Sequence, residues 1–133
     1  MSRVFCDSSV LIRYFVGDDP PQSLAAARLV DGDETLVVST AVILEVVHVL
    51  RTAYGASNPD VARGMIRFLS QPTVELADAD RATTIAALQW SERSSARRIP
   101  DALIAAAAEH ASCDTIVTFD QSFRSPHVPV RLI

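Results

Sequence analysis

Short apolar runs alternate along the chain with longer stretches in which apolar and polar residues recur at helical spacing. Residues 3–6 read as a short buried strand that ends at Asp7, and Asp7-Ser8-Ser9 supplies small polar caps for a helix beginning near Val10. A breaker cluster at 17–21 precedes an alanine-rich helix over 22–30, a turn at Asp31-Gly32-Asp33 and an apolar strand over 35–38. From Ser39 or Thr40 to about Tyr54 the chain is apolar nearly all round, the pattern of a helix buried on several faces, and Gly55 closes it. A helix starts near Asn58-Pro59-Asp60, a strand follows over 73–76, and another helix runs from Asp78 or Asp80 to Arg93. After a polar, basic segment from Ser94 to Ile99, Pro100-Asp101 opens an alanine-rich helix through His110. Ser112-Cys113-Asp114 turns the chain into a strand over 115–119 that ends at Asp120, and residues 128–133 form a last short strand, which Pro129 confines to an edge or to its first position.

Strands alternating with helices predict an α/β fold with a mostly parallel sheet covered on both faces, because parallel neighbours need crossover connections. In open sheets of this class the ligand crevice lies beyond the carboxyl ends of the strands, at the switch in strand order. Asp7 and Asp120 each follow an apolar strand and are expected at that rim. Asp101, in a first helical turn, and Glu45, inside an apolar helix, join them only if the helices lie suitably, which spacing does not fix.

Each acid also has an ordinary structural role. Asp7 and Asp120 fit a helix cap or a turn, and Asp101 suits the positive end of a helix dipole. Glu45 differs, because Val42-Ile43-Leu44 before it and Val46-Val47 after it leave little solvent-facing arc, and a buried carboxylate needs a partner. A salt bridge to Arg51 is its ordinary alternative, although six positions separate the two.

A length of 133 residues with 49% hydrophobic content is enough for one domain spanning 1–133. The longest apolar stretch, residues 41–50, is broken by Glu45 and His48 and falls far short of the ~20 residues that cross a bilayer. The N-terminus lacks a signal-peptide pattern, so a cytoplasmic protein with no membrane partner is expected. Cys6 and Cys113 stand outside any C-x-x-C pattern and are expected to be reduced packing residues. The formal charge of −4 argues against nucleic-acid binding through the overall field, but leaves room for a local basic patch at Arg93, Arg97 and Arg98. The ordinary alternative for that cluster is a solvated helix end. All twelve basic residues are arginine, which excludes mechanisms that need a Schiff-base or phosphate-loop lysine.

If the four carboxylates converge, their repulsion raises some pKa values unless a cation neutralises them. Oxygen-only ligands select a hard ion such as magnesium or manganese over zinc, and such an ion can activate water and neutralise a phosphodiester.

Four segments together resemble a known family. They are Phe5-Cys6-Asp7-Ser8-Ser9-Val10-Leu11-Ile12, Leu44-Glu45-Val46, Pro100-Asp101-Ala102-Leu103-Ile104-Ala105-Ala106-Ala107, and Val117-Thr118-Phe119-Asp120-Gln121-Ser122-Phe123. In order and spacing they resemble the PIN domains, and within them the VapC toxins of bacterial toxin–antitoxin pairs, over nearly the whole chain. The resemblance implies a three-layer α/β/α sandwich and magnesium- or manganese-dependent RNA cleavage. It carries metal binding onto Asp7 and Asp101, with Glu45 and Asp120 completing a catalytic set of four, and gives Ser8, Ser9 and Thr118 supporting roles. It also implies a homodimer and a cognate antitoxin that lays a helix in an apolar groove and a basic side chain near the acids. Two departures are a proline directly before Asp101 and the lack of a second aspartate there.

Competing families fit less well. A haloacid-dehalogenase-type phosphatase needs a second aspartate where Ser9 stands, and both it and a response-regulator receiver need a lysine. Glu45-Val46-Val47-His48 is half of a di-iron motif without a second copy. No Gly-x-Ser-x-Gly elbow or phosphate-binding glycine loop is present, and His48, His110 and His127 lack metal-ligand spacing. From another class, a catalytically silent RNA-binding or regulatory module built on the same fold remains the alternative to the enzyme.

Overall fold

In the computed structural model, which describes residues 2–133, a single sheet is assembled from five short strands: β1 (Arg3–Cys6), β2 (Thr35–Val38), β3 (Val74–Leu76), β4 (Thr115–Thr118) and β5 (Val130–Leu132). The order is β3-β2-β1-β4-β5, and every pairing is parallel. Six helices connect them: α1 (Ser8–Phe15), α2 (Pro20–Val30), α3 (Thr40–Thr52), α4 (Asn58–Leu69), α5 (Arg81–Glu92) and α6 (Ile99–His110). The chain moves outward from β1 to β2 to β3 and then returns to β4. Right-handed crossovers therefore lay α1 to α4 over one face and α5 and α6 over the other, which is the expected three-layer sandwich. The direction reverses between β1 and β4, so the crevice that such a reversal opens lies at their carboxyl ends.

Strands buried on both faces have no room for polar alternation, and Val4, Phe5, Cys6, Leu36, Val37, Val38, Ile116 and Val117 are all fully buried. The core continues under α4 as a cluster of aromatic rings, with Phe15 5.3 Å from Tyr14 and 6.0 Å from Phe68. On the other face α6 buries Ala102, Ala105, Ala106, Ala107 and Ala108. Side chains this small let the helix pack closely on both the sheet and α5.

Helix ends follow the capping chemistry of the sequence with two shifts. α1 starts at Ser8 because Asp7 itself is the N-cap. α2 starts at Pro20, where the fixed φ of proline suits a first turn that Asp19 caps; the same prolines read as breakers along the sequence. Asp80 caps α5, while Asp78 accepts from the Thr40 backbone N–H and hydroxyl, both at 2.9 Å, and so secures the start of α3 instead. The predicted turn after α6 is a Schellman arrangement: Ser112 adopts φ 56°, with Ser112 N–H bonded to Glu109 O and Cys113 N–H to Ala108 O. β5 lies at the sheet edge, as Pro129 requires. Both cysteines are free, Cys6 buried and Cys113 half-buried. Among the described residues no helix is long and apolar enough to cross a membrane.

Candidate active site

Asp7 leaves β1 and enters α1 at the reversal point, with its carboxylate locked in place. Oδ1 accepts from the Ser8 backbone N–H at 2.8 Å, and Oδ2 accepts from the Ser9 hydroxyl at 3.0 Å and the Thr118 hydroxyl at 2.6 Å. The two hydroxyls in turn accept from backbone beyond β4: Ser9 Oγ from Phe119 N–H at 3.1 Å and Thr118 Oγ1 from Asp120 N–H at 3.0 Å. Each hydroxyl spends its single proton on Asp7 and a lone pair on the neighbouring strand end. The ends of β1 and β4 are thereby tied together around one carboxylate.

Asp101 sits in the first turn of α6, only 7% exposed. Burial pushes its carboxyl above the ordinary range and the Asp7 charge adds to this, while Arg98 pulls the other way. Asp120 is the opposite case. Its Oδ1 accepts from the Ser122 backbone at 2.9 Å and the Ser122 hydroxyl at 2.7 Å, an Asx turn, and its Oδ2 accepts from Arg98 Nη2 at 2.7 Å. These donors, Ser122 foremost, lower its pKa to about 2.

Glu45 corrects the sequence reading. α3 buries Val42, Val46 and Leu50, but its other face, with Ala41, Leu44, Glu45 and His48, is exposed, Leu44 by 69%. An apolar pattern all round arises here from an apolar outer face, not from burial on every side. Among the described residues Glu45 forms no bridge to Arg51; it opens toward Asp7 and Asp101. Desolvation raises its pKa, and the charges of those two aspartates raise it further.

The structure therefore brings all four predicted acids, with Ser8, Ser9 and Arg98, onto one cleft of about 310 Å³. Arg93 and Arg97 lie elsewhere. Arg97 stacks over the Trp90 ring, 4.8 Å from its centroid, and bonds the Trp90 carbonyl, while exposed Arg93 borders a separate hollow on α5. Arg98 alone of the three reaches the acids: its Nη2 lies 3.1 Å from Asp101 Oδ2, 2.7 Å from Asp120 Oδ2 and 3.1 Å from Ser122 Oγ. Ser122 was not singled out by the sequence reading, although Asp-x-Ser spacing is a turn signal that marks it.

Among the described residues no three His, Cys, Asp or Glu side chains close into a ready-made metal cage. The donor set nonetheless fits a hard divalent cation of the kind that takes one or two carboxylates and keeps several waters. Asp7 and Asp101 are buried acids; burial first and neighbouring carboxylate charge second raise Asp101 and Glu45, and a cation held by these acids would relieve that cost.

The chain belongs to the PIN domain family, whose family model matches residues 4–127. Comparison with curated proteins gives no match. Among solved structures it is similar to the VapC20 toxin of Mycobacterium tuberculosis, described as cleaving the sarcin-ricin loop, at TM-score 0.73 and 18% identity, covering 90% of this chain and 92% of that one. It is also similar to VapBC2 of Rickettsia felis bound to a promoter DNA fragment, at TM-score 0.68 and 18% identity over 98% of each chain. A third similar structure is VapBC-1 of nontypeable Haemophilus influenzae, at TM-score 0.66 and 15% identity over 97% and 96%. At these identities the likeness bears on the fold.

Proposed function

We propose that this PIN domain is a divalent-metal-dependent endoribonuclease and the toxin of a toxin–antitoxin pair. The observation that carries this reading is the meeting of Asp7, Glu45, Asp101 and Asp120 at one cleft, from four separate segments. A bound magnesium or manganese ion would supply charge neutralisation at the phosphodiester and a more acidic water. Asp7 and Asp101 are the residues to hold it. Ser9 and Thr118 fix Asp7 in one rotamer, so the carboxylate needs no reorganisation when substrate arrives. Glu45, raised in pKa and open to solvent on one side, is placed to accept a proton from the attacking water.

Likeness to a toxin described as cleaving the sarcin-ricin loop supports RNA as the substrate. Likeness to VapBC structures supports a cognate antitoxin. The exposed apolar face beside the acids, a hollow that Leu44 and Ile99 both border, supports protein partners there, a second copy included.

The test is incubation of the purified chain, freed of any antitoxin, with total cellular RNA, with and without magnesium or manganese, mapping new ends by sequencing. Discrete metal-dependent cuts are expected. Asp7→Asn should fold and lose activity by at least ~100-fold, and Glu45→Gln should lose it likewise without touching the Ser9 and Thr118 hydroxyls. RNA bound without metal-dependent cleavage would make the chain the silent binding module instead.

A further inference from the structure

The N-cap of α6 breaks a pattern kept by every other helix. Asp7, Asp19, Ser39, Ser57 and Asp80 each accept a backbone N–H at the start of their helix, whereas α6 begins at Arg98 with no side-chain cap. That position instead delivers the only cation among the residues lining the acidic cleft.

The guanidinium uses one nitrogen for all its protein contacts. Nη2 alone serves Asp101, Asp120 and Ser122. The three remaining N–H groups, on Nε and Nη1, have no hydrogen-bond partner among the described residues, on a side chain that is 48% exposed. Asp120, meanwhile, has both oxygens taken by Ser122 and Arg98. Little of its acceptor capacity is left for a cation, and it holds the arginine in position. Asp7, Glu45 and Asp101 share the cleft, and Asp120, at the shorter distance, holds beside them an Arg98 that Asp101 also contacts.

We propose that Arg98, anchored by Asp120, is the phosphate-contacting residue of this cleft, donating its free N–H groups to a non-bridging oxygen of an RNA strand. The unspent donors on Nε and Nη1 lie on different edges of the planar guanidinium, so each can give a single N–H bond to a phosphate oxygen, and the positive charge offsets carboxylates that would otherwise repel an incoming strand. The assignment rests on the ribonuclease reading of the same site.

The test measures binding of a labelled, mixed-sequence single-stranded RNA by fluorescence anisotropy over a salt series. Calcium replaces magnesium, and the RNA is checked to be intact afterwards. Arg98→Ala should weaken binding by about tenfold and reduce the salt slope by about 0.7, one phosphate contact on a single strand. Arg98→Lys should restore the slope but only part of the affinity, since one compact ammonium replaces a guanidinium that serves Asp120 and the phosphate with different nitrogens. Manganese affinity of Arg98→Ala, measured by calorimetry without RNA, should be unchanged or tighter. RNA binding and slope equal to wild type in both variants overturns the assignment. So does a loss of RNA binding that tracks a loss of manganese binding, which would make Arg98 an organiser of the acids. Melting curves establish that each variant is folded, and Arg98→Lys, which keeps the charge, remains decisive if Arg98→Ala does not fold. Wild-type protein that fails to bind the RNA at all overturns the ribonuclease reading together with this assignment, an outcome distinct from wild-type binding with an unaffected variant.

Discussion

Two carboxylates of one cleft respond to acid with opposite sign. Asp120, lowered to about 2 by the Ser122 and Arg98 donors, is ionised more readily in the folded chain than when unfolded. It contributes stability above its ordinary value of 3.8, and that contribution disappears only as pH falls toward 2. Glu45 is raised, by desolvation first and by Asp7 and Asp101 next, so in the folded chain it holds its proton to higher pH than the ordinary 4.5. Below its unfolded value both states are protonated and nothing is lost. As pH rises through the folded value the ionised carboxylate disfavours the fold. Glu45→Gln, which mimics the protonated form, should therefore melt above wild type in chelator at neutral pH, and the gap should close as the buffer is acidified through the Glu45 transition. Thermal melts across a pH series read this directly, and a gap that ignores pH would show that Glu45 carries no such strain.

At the scale of elements, patterning and capping explain most of what the sequence made legible. The three inner strands, β2, β1 and β4, are short and apolar because both faces of a parallel sheet are covered there, and Asp7 and Asp120 could be placed at the rim because each closely follows such a strand. What stayed hidden depends on contacts between distant segments. Ser9 and Thr118 meet over one carboxylate only after β1 and β4 pair, and Arg98 finds Asp120 only after α6 docks beside the turn that follows β4. α3 misled for a different reason: hydrophobicity reports that a side chain is apolar, not that the chain's own core covers it. Leu44, 69% exposed, and Ile99, 58% exposed, border a hollow of about 600 Å³ between α3 and α6. If that face joins two copies, Leu44→Glu should convert a dimer into a monomer by analytical ultracentrifugation, while changing stability by no more than ~0.5 kcal/mol as an exposed substitution. A dimer that survives the substitution places the interface elsewhere.

For the molecule as a whole, the fold is consistent nearly everywhere outside the cleft: parallel pairing throughout, side-chain caps on every helix but α6, a main core that spans the sheet, and then four acids brought to one opening. Arg98 offsets part of their mutual repulsion, and a cation that binds the folded state alone would relieve more of it and raise stability by mass action. At a hundred times its dissociation constant the gain is about 2.7 kcal/mol. For a domain of this size that corresponds to a melting-temperature rise on the order of 10 °C. Manganese titrated against the chelated protein should produce that rise, calcium should produce a smaller or equal one through the same carboxylates, and Asp101→Asn should abolish most of it. The rise should also grow as the pH is raised, because the cation competes with protons for Glu45 and Asp101, both held above their ordinary values, by burial first. A melting temperature indifferent to manganese at neutral pH would mean that the acids settle their repulsion through Arg98 and protonation alone, and the metal-dependent reading of the cleft would fall with it.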